Sequence, residues 1–233
     1  MLLNNFYHQE DQFVRISRQQ ASDFAKSIAG DFNPIHDVDA KRFCVPGDLL
    51  FALVLNKYGV SQHMHFTFSG MVGDGVDLIF PDMTDDEITI KDSTGKTYLS
   101  IQHHGENNAN PDLSNNLSLK YVAFSGQTFP HILVPLMAER NVMVNPARPL
   151  VIYESMTIDI EQLDIIDPML QVTESTLDVE GKRGNVSLKF SVSDNGQIVG
   201  SGEKTMVMSG LREFDQTAID QLVDDYAARK QAY

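Results

Sequence analysis

Residues 46–59 read PGDLLFALVLNKYG, and within them Leu49 to Leu55, LLFALVL, is apolar at every position. Pro46, Gly47 and Asp48 act as start signals and Asn56 to Gly59 as stop signals, so the run is expected as a helix without a polar face. Such a helix must be enclosed by other elements. What can enclose it follows directly: residues 63–69, 74–80, 86–91 and 97–104 are short strand-like runs, divided by turn signals such as Ser93-Thr94-Gly95. An antiparallel sheet curled around one buried helix satisfies both observations.

Upstream, Ser17 and Gln20 form a capping box, and Ala21, Phe24, Ala25 and Ile28 recur at helical spacing until Gly30 supplies a stop. Then comes GDFNPIH, Gly30 to His36. Pro34 fixes its own φ and pushes Asn33 out of the helical region, so Asp31 and His36 sit on a rigid, non-helical segment. Such a segment can aim two polar groups at one point.

Downstream the order repeats. The polar stretch ENNANPDLSNN, residues 106–116, reads as a linker between an N-terminal unit, 1–105, and a C-terminal unit, 117–233. FPHILVPLMAERN, residues 129–141, is the expected second central helix, opened by Pro130, with Pro135 either kinking it or marking its first turn. Strands follow. Ile152, Met156, Ile158 and Ile160 share a face, 170–180 forms another candidate, Val186 to Val192 alternate, and Asp194-Asn195-Gly196 signals a hairpin into 197–208. From Thr217, paired with Asp220 in a capping box, the stripe Ile219, Leu222, Val223 and Tyr226 predicts a final helix. It is expected to pack on the body or on a partner subunit, which makes a homodimer an expected assembly. The fold class is α+β: two curved antiparallel sheets, each wrapped around a central helix.

The 233 residues are 42% hydrophobic and 21% charged, the balance of a chain that buries a sizeable core. A net charge of −14 disfavours nucleic acid and anionic membrane surfaces as partners. The longest apolar run is too short to span a bilayer, the chain opens without a basic-then-apolar leader, and the single cysteine, Cys44, excludes an intrachain disulfide. These features predict a cytoplasmic protein. Neither a Walker loop nor a Gly-x-Gly-x-x-Gly fingerprint occurs, so nucleotide and dinucleotide cofactors are not expected. Asp37 and Asp39 follow His36 as possible ligands, but without a second histidine at zinc spacing no metal is expected either. His63, His65, His103 and His104 read as half-exposed strand residues, and Cys44 as a small buried hydrophobe.

Within Phe24 to Leu50, FAKSIAGDFNPIHDVDAKRFCVPGDLL, the positions Gly30, Asp31, Asn33, Pro34 and His36 coincide with the G-D-x-N-P-x-H signature of the MaoC-like (R)-specific enoyl-CoA hydratases, which this stretch resembles. The resemblance implies the hot-dog fold, here as a double hot dog, and an acyl-CoA or acyl-carrier-protein thioester as substrate. It implies that Asp31 and His36 activate the water that adds across a trans-2-enoyl thioester, with Asn33 holding that water or the loop. Gly47, at the N-terminus of the buried helix, is the matching oxyanion donor. Lys41 and Arg42 are candidates for the phosphates of a coenzyme A or phosphopantetheine arm, and His131 for a contact from the second half. Two positions depart from the family: Ala29 replaces its serine, and Pro46 and Asp48 flank Gly47, removing one amide and adding a negative charge. The whole chain also resembles a bacterial family with no assigned activity. A thioesterase on the same fold, and a non-catalytic acyl-thioester or lipid-binding protein, are the competing functions.

Overall fold

The computed structural model describes residues 2–233. After a short 3-10 turn, β1 (His8–Glu10) and β2 (Phe13–Arg15) form a hairpin, and α1 (Arg18–Asp23) follows. Ser17 and Gln20 close the expected capping box. The helix continues as a π-helical stretch, Phe24–Ala29, and ends at Gly30 with φ +65°, a left-handed conformation that glycine adopts without steric cost. The expected apolar helix is α2 (Gly47–Tyr58), and Leu49 to Leu55 are all buried.

The first-half strands are β3 (Val60–Phe68), β4 (Asp77–Ile79), β5 (Glu87–Asp92) and β6 (Thr97–Asn108). Then come α3 (Pro111–Gly126), the short α4 (Thr128–His131), α5 (Leu133–Glu139) and β7 (Val142–Met143). The chain closes with β8 (Val151–Ile160), β9 (Met169–Glu180), β10 (Arg183–Asp194), β11 (Gln197–Ser209), β12 (Arg212–Glu213) and α6 (Gln216–Ala232). Among the described residues ten strands form one antiparallel sheet in the order β1-β2-β4-β5-β6-β3-β8-β11-β10-β9. The two halves meet at β3, whose Met64 and Phe66 face His103 and Ile101 of β6 on one side and Ile158 and Met156 of β8 on the other. The curved sheet of each half thus runs into the other, and the architecture is a double hot dog.

Residues 106–116 are not a linker. Their first three residues complete β6, and Asn110 caps α3, accepting from the Asp112 amide with Pro111 in the first turn. The Asn-rich polarity is cap chemistry. This helix, and not 129–141, lies against α2, with Tyr121 and Phe51 rings 4.5 Å apart. Leu113, Leu117, Tyr121 and Val122 supply its buried face, and Ser114, Ser118 and Ser125 are buried with them. Ser118 returns its hydroxyl to the Ser114 carbonyl, so a residue that reads polar in sequence is satisfied inside the helix.

In 129–141 the helix is broken into the end of the short α4 and α5, and Pro135 lies in the first turn of α5. Leu133, Leu136 and Met137 join Leu177, Val186, Leu188, Met206 and Met208 in a second core. The hairpin at Asn195 and Gly196 forms as expected, both residues having positive φ. The terminal helix starts one residue before Thr217, and its cap is Asp215, which accepts from the Ala218 amide. Ile219 is buried, and Leu222 and Val223 pack on the second core, so α6 lies on the body of its own chain. Among the described residues no helix is long and apolar enough to cross a membrane.

Candidate functional site

Local hydrogen bonding folds GDFNPIH into one rigid turn. The Asp31 amide donates to the Ala25 carbonyl, closing the π-helical stretch, and Asp31 Oδ1 accepts from the Asn33 amide at 2.9 Å. Asn33 Oδ1 accepts from the Ile35 amide and caps the 3-10 turn Pro34–His36. Asn33 therefore holds the loop. His36 Nδ1 lies 2.7 Å from the Cys44 carbonyl, which can only accept, so Nδ1 carries the proton and Nε2 of the neutral ring is left with a lone pair. That Nε2 stands 3.7 Å from Asp31 Oδ2. The gap is too long for a direct hydrogen bond and suits a single water bonded to both.

The turn is held from the far end of the sequence. Tyr226 of α6 donates its hydroxyl to the Gly30 carbonyl and accepts from the Phe32 amide, both at 3.2 Å, so it brackets Asp31. Burial and the Asp31 charge push its phenol up to about 12. Arg229, one turn on, pairs with Asp37 at 2.7 Å.

Asp31, His36, Gly47 and Asp48 line one cavity of about 680 Å³. Gly47 and Asp48 open α2, and among the described residues neither amide has a hydrogen-bond partner, whereas the next amide, Leu49, reaches back to the Pro46 carbonyl. Two N–H groups at the positive end of a twelve-residue helix are thus unused beside the Asp31–His36 pair. A Cβ at Gly47 would stand 2.9 Å from Tyr153 Cδ1, so only glycine lets the helix start this close to the cavity wall.

Polar groups of Asp48, Lys204 and Tyr153 complete the wall. Asp48 is buried with Oδ1 unpartnered, and burial pushes its carboxyl upward against the opposing pull of Lys204 and Ser125. Lys204, on β11, is 5% exposed and donates to Ser125 Oγ at 2.5 Å. Burial pulls its ammonium below the ordinary value, against the charges of Asp48 and Asp31. The Tyr121 and Tyr153 hydroxyls are hydrogen-bonded to each other, and burial raises both far above the ordinary tyrosine value. An apolar arm of the cavity extends into the second core along Leu133, Met137, Val144, Met206 and Met208, while Asp225, Tyr226 and Arg229 of α6 line another part.

The structure therefore brings together Asp31, Asn33, His36 and Gly47. Lys41, Arg42 and His131 do not join them: all three are exposed, and none lines the cavity. Lys204, Ser125 and Tyr226 were missed by sequence reasoning. One signal for Lys204 was present, since it shares the inward face of an alternating strand with Met206 and Met208. Cys44 borders the cavity, and burial pushes its thiol up to about 12.

Residues 1–217 match the family described as "Protein of unknown function (DUF3581)". The chain belongs to this family. No curated protein matches it. Among solved structures, it is similar to a conserved protein of unknown function with hot dog fold from Alicyclobacillus acidocaldarius, at 7% identity and TM-score 0.47 over 90% of this chain and 98% of that one. It is also similar to an acyl-CoA thioesterase II from Mycobacterium marinum, at 12% identity and TM-score 0.42 over 92% and 98% of the two chains. A MaoC-like dehydratase matches at 10% identity and TM-score 0.41 over 88% and 98%. At such identities the chemistry has to be argued from the side chains of this chain.

Proposed function

We propose that this protein hydrates and dehydrates acyl thioesters, adding water across a trans-2-enoyl thioester of coenzyme A or a carrier protein. The observation that carries the reading is the Asp31–His36 pair, 3.7 Å apart, facing the same cavity as the unused amides of α2. In this reading one water lies between Asp31 Oδ2 and His36 Nε2. His36 takes a proton as the water oxygen bonds to the β-carbon, and the electron pair of the double bond moves toward the thioester oxygen. The Gly47 and Asp48 amides receive that developing charge. The imidazolium, stabilised by Asp31, then returns its proton to the α-carbon, so one molecule of water is added and both residues are regenerated. The acyl chain occupies the apolar arm toward Met137, Met206 and Met208. Lys41 and Arg42, exposed on the segment joining the turn to α2, are assigned to the phosphates of the coenzyme A arm.

The test is the loss of enoyl-thioester absorbance with a short and a long trans-2-enoyl-CoA, for the native chain and for Asp31→Ala and His36→Ala. Turnover that falls by about 10²–10⁴-fold in either variant is the expected result. Release of free thiol instead would identify a thioesterase. Thermal stabilisation by acyl-CoA without turnover or thiol release would identify a non-catalytic binding protein.

A further inference from the structure

Lys204 is a buried cation on the cavity wall. Among the described residues no carboxylate oxygen lies within 4.0 Å of its ammonium, which is held by the Ser125 hydroxyl and stands 4.1 Å from the centre of the Tyr153 ring. Burying a charge without an opposite charge in contact is costly, and a cavity is where a ligand can supply one. Two close approaches shape the surroundings of this ammonium. A Cβ at Gly47 would stand 2.9 Å from the same Tyr153 ring, so the unused amides of α2 and the Lys204 ammonium are gathered around one aromatic side chain. Gly126, next to Ser125, packs so tightly on the Ala29 carbonyl that its missing Cβ would lie 1.8 Å from that oxygen. The Ser125–Lys204 contact is thereby set against the turn that carries Asp31 and His36.

We propose that Lys204 is a further catalytic residue, contributed by the second half of the chain, whose ammonium contacts the thioester carbonyl oxygen together with the Gly47 and Asp48 amides. This rests on the acyl-thioester reading given above. The ammonium has three N–H groups, and Ser125 accepts one of them. Asp48, close by, is favoured in its charged form by Lys204 and Ser125 against the pull of its burial. Lys204 thus also balances the negative charge that Asp48 would otherwise place beside a developing oxyanion. Sequence reading sees only the acidic half of this arrangement, because its basic half lies 156 positions along the chain, from 48 to 204.

The test uses the conjugated thioester trans-cinnamoyl-CoA, whose absorbance band moves to longer wavelength when its carbonyl is polarised. The full-length chain carries Asp31→Ala in every arm to keep the probe intact. Titration gives affinity and band position together. Lys204→Met should bind the probe within a few-fold of its parent and lose at least half of the band shift, and Ser125→Ala, which frees the ammonium, should lose part of it. With Asp31 restored, Lys204→Met should lower kcat for an enoyl-CoA about 10²–10³-fold with KM little changed. An undiminished shift with the probe bound to Lys204→Met overturns the role of Lys204 and leaves the acyl-thioester reading standing. A probe that fails to bind even with Lys204 intact overturns both. Should Lys204→Met not fold, the Ser125→Ala spectrum decides, an unchanged shift again counting against the proposal.

Discussion

Gly126→Ala is a substitution for which local and tertiary arguments have opposite signs. Gly126 is the last residue of α3, and alanine in a helix is favoured over glycine by up to about 1 kcal/mol, so helix propensity alone predicts a more stable protein. The tertiary contact predicts the reverse. The added Cβ would sit 1.8 Å from the Ala29 carbonyl oxygen, where 3.0 Å is the closest approach such atoms make, so backbone must move by at least the difference, 1.2 Å. Neither side can yield by a rotamer change, because the obstacle is main chain. Overpacking of this kind costs about 1–3 kcal/mol, and in a chain of this size each kcal/mol moves Tm by about 2–4 °C. The movement falls on the turn that positions Asp31, and a misplacement near 1 Å costs about a hundredfold in rate. Thermal and urea unfolding read the first effect, and enoyl-CoA turnover the second. A Gly126→Ala protein with equal or higher Tm would refute the claim that this contact locks α3 onto the turn.

Three further outcomes follow from single side chains. Tyr226→Phe removes the hydroxyl that joins the Gly30 carbonyl to the Phe32 amide and should cost about 1–3 kcal/mol in urea unfolding and lower kcat for an enoyl-CoA; full stability and turnover would show that α6 does not hold the turn. Asp48→Asn should gain stability relative to the native chain as pH rises above the unfolded carboxylate value of 3.8. The raised folded value means that the native chain binds more protons folded than unfolded in that window, and Tm measured from pH 3 to 8 reads the difference. Cys44, its thiol pushed up to about 12 by burial, should resist a thiol reagent at pH 8 in the folded protein and react stoichiometrically after denaturation, as absorbance of the released chromophore would record.

The apolar run Leu49 to Leu55 and the turn Gly30 to His36 were legible in sequence because each is governed by its own residues. A helix without a polar face must be enclosed, and Asn33 and Pro34 restrict their own backbone. The second central helix was misplaced because its buried serines and its Asn-Pro cap are polar in composition, although their hydrogen bonds are made within the helix or to neighbouring buried groups. The local sequence by itself determined the Asp31–His36 spacing, the start of α2 at Gly47 and the alternation of the later strands. Only the tertiary structure decided what faces them. Tyr226 meets the turn across nearly two hundred residues, and Lys204 reaches the N-terminus of α2 because β3 and β8 join the two halves into one sheet. Sequence periodicity specifies which side of a strand is inward, whereas the identity of the group across a cavity depends on long-range pairing, which no local pattern encodes.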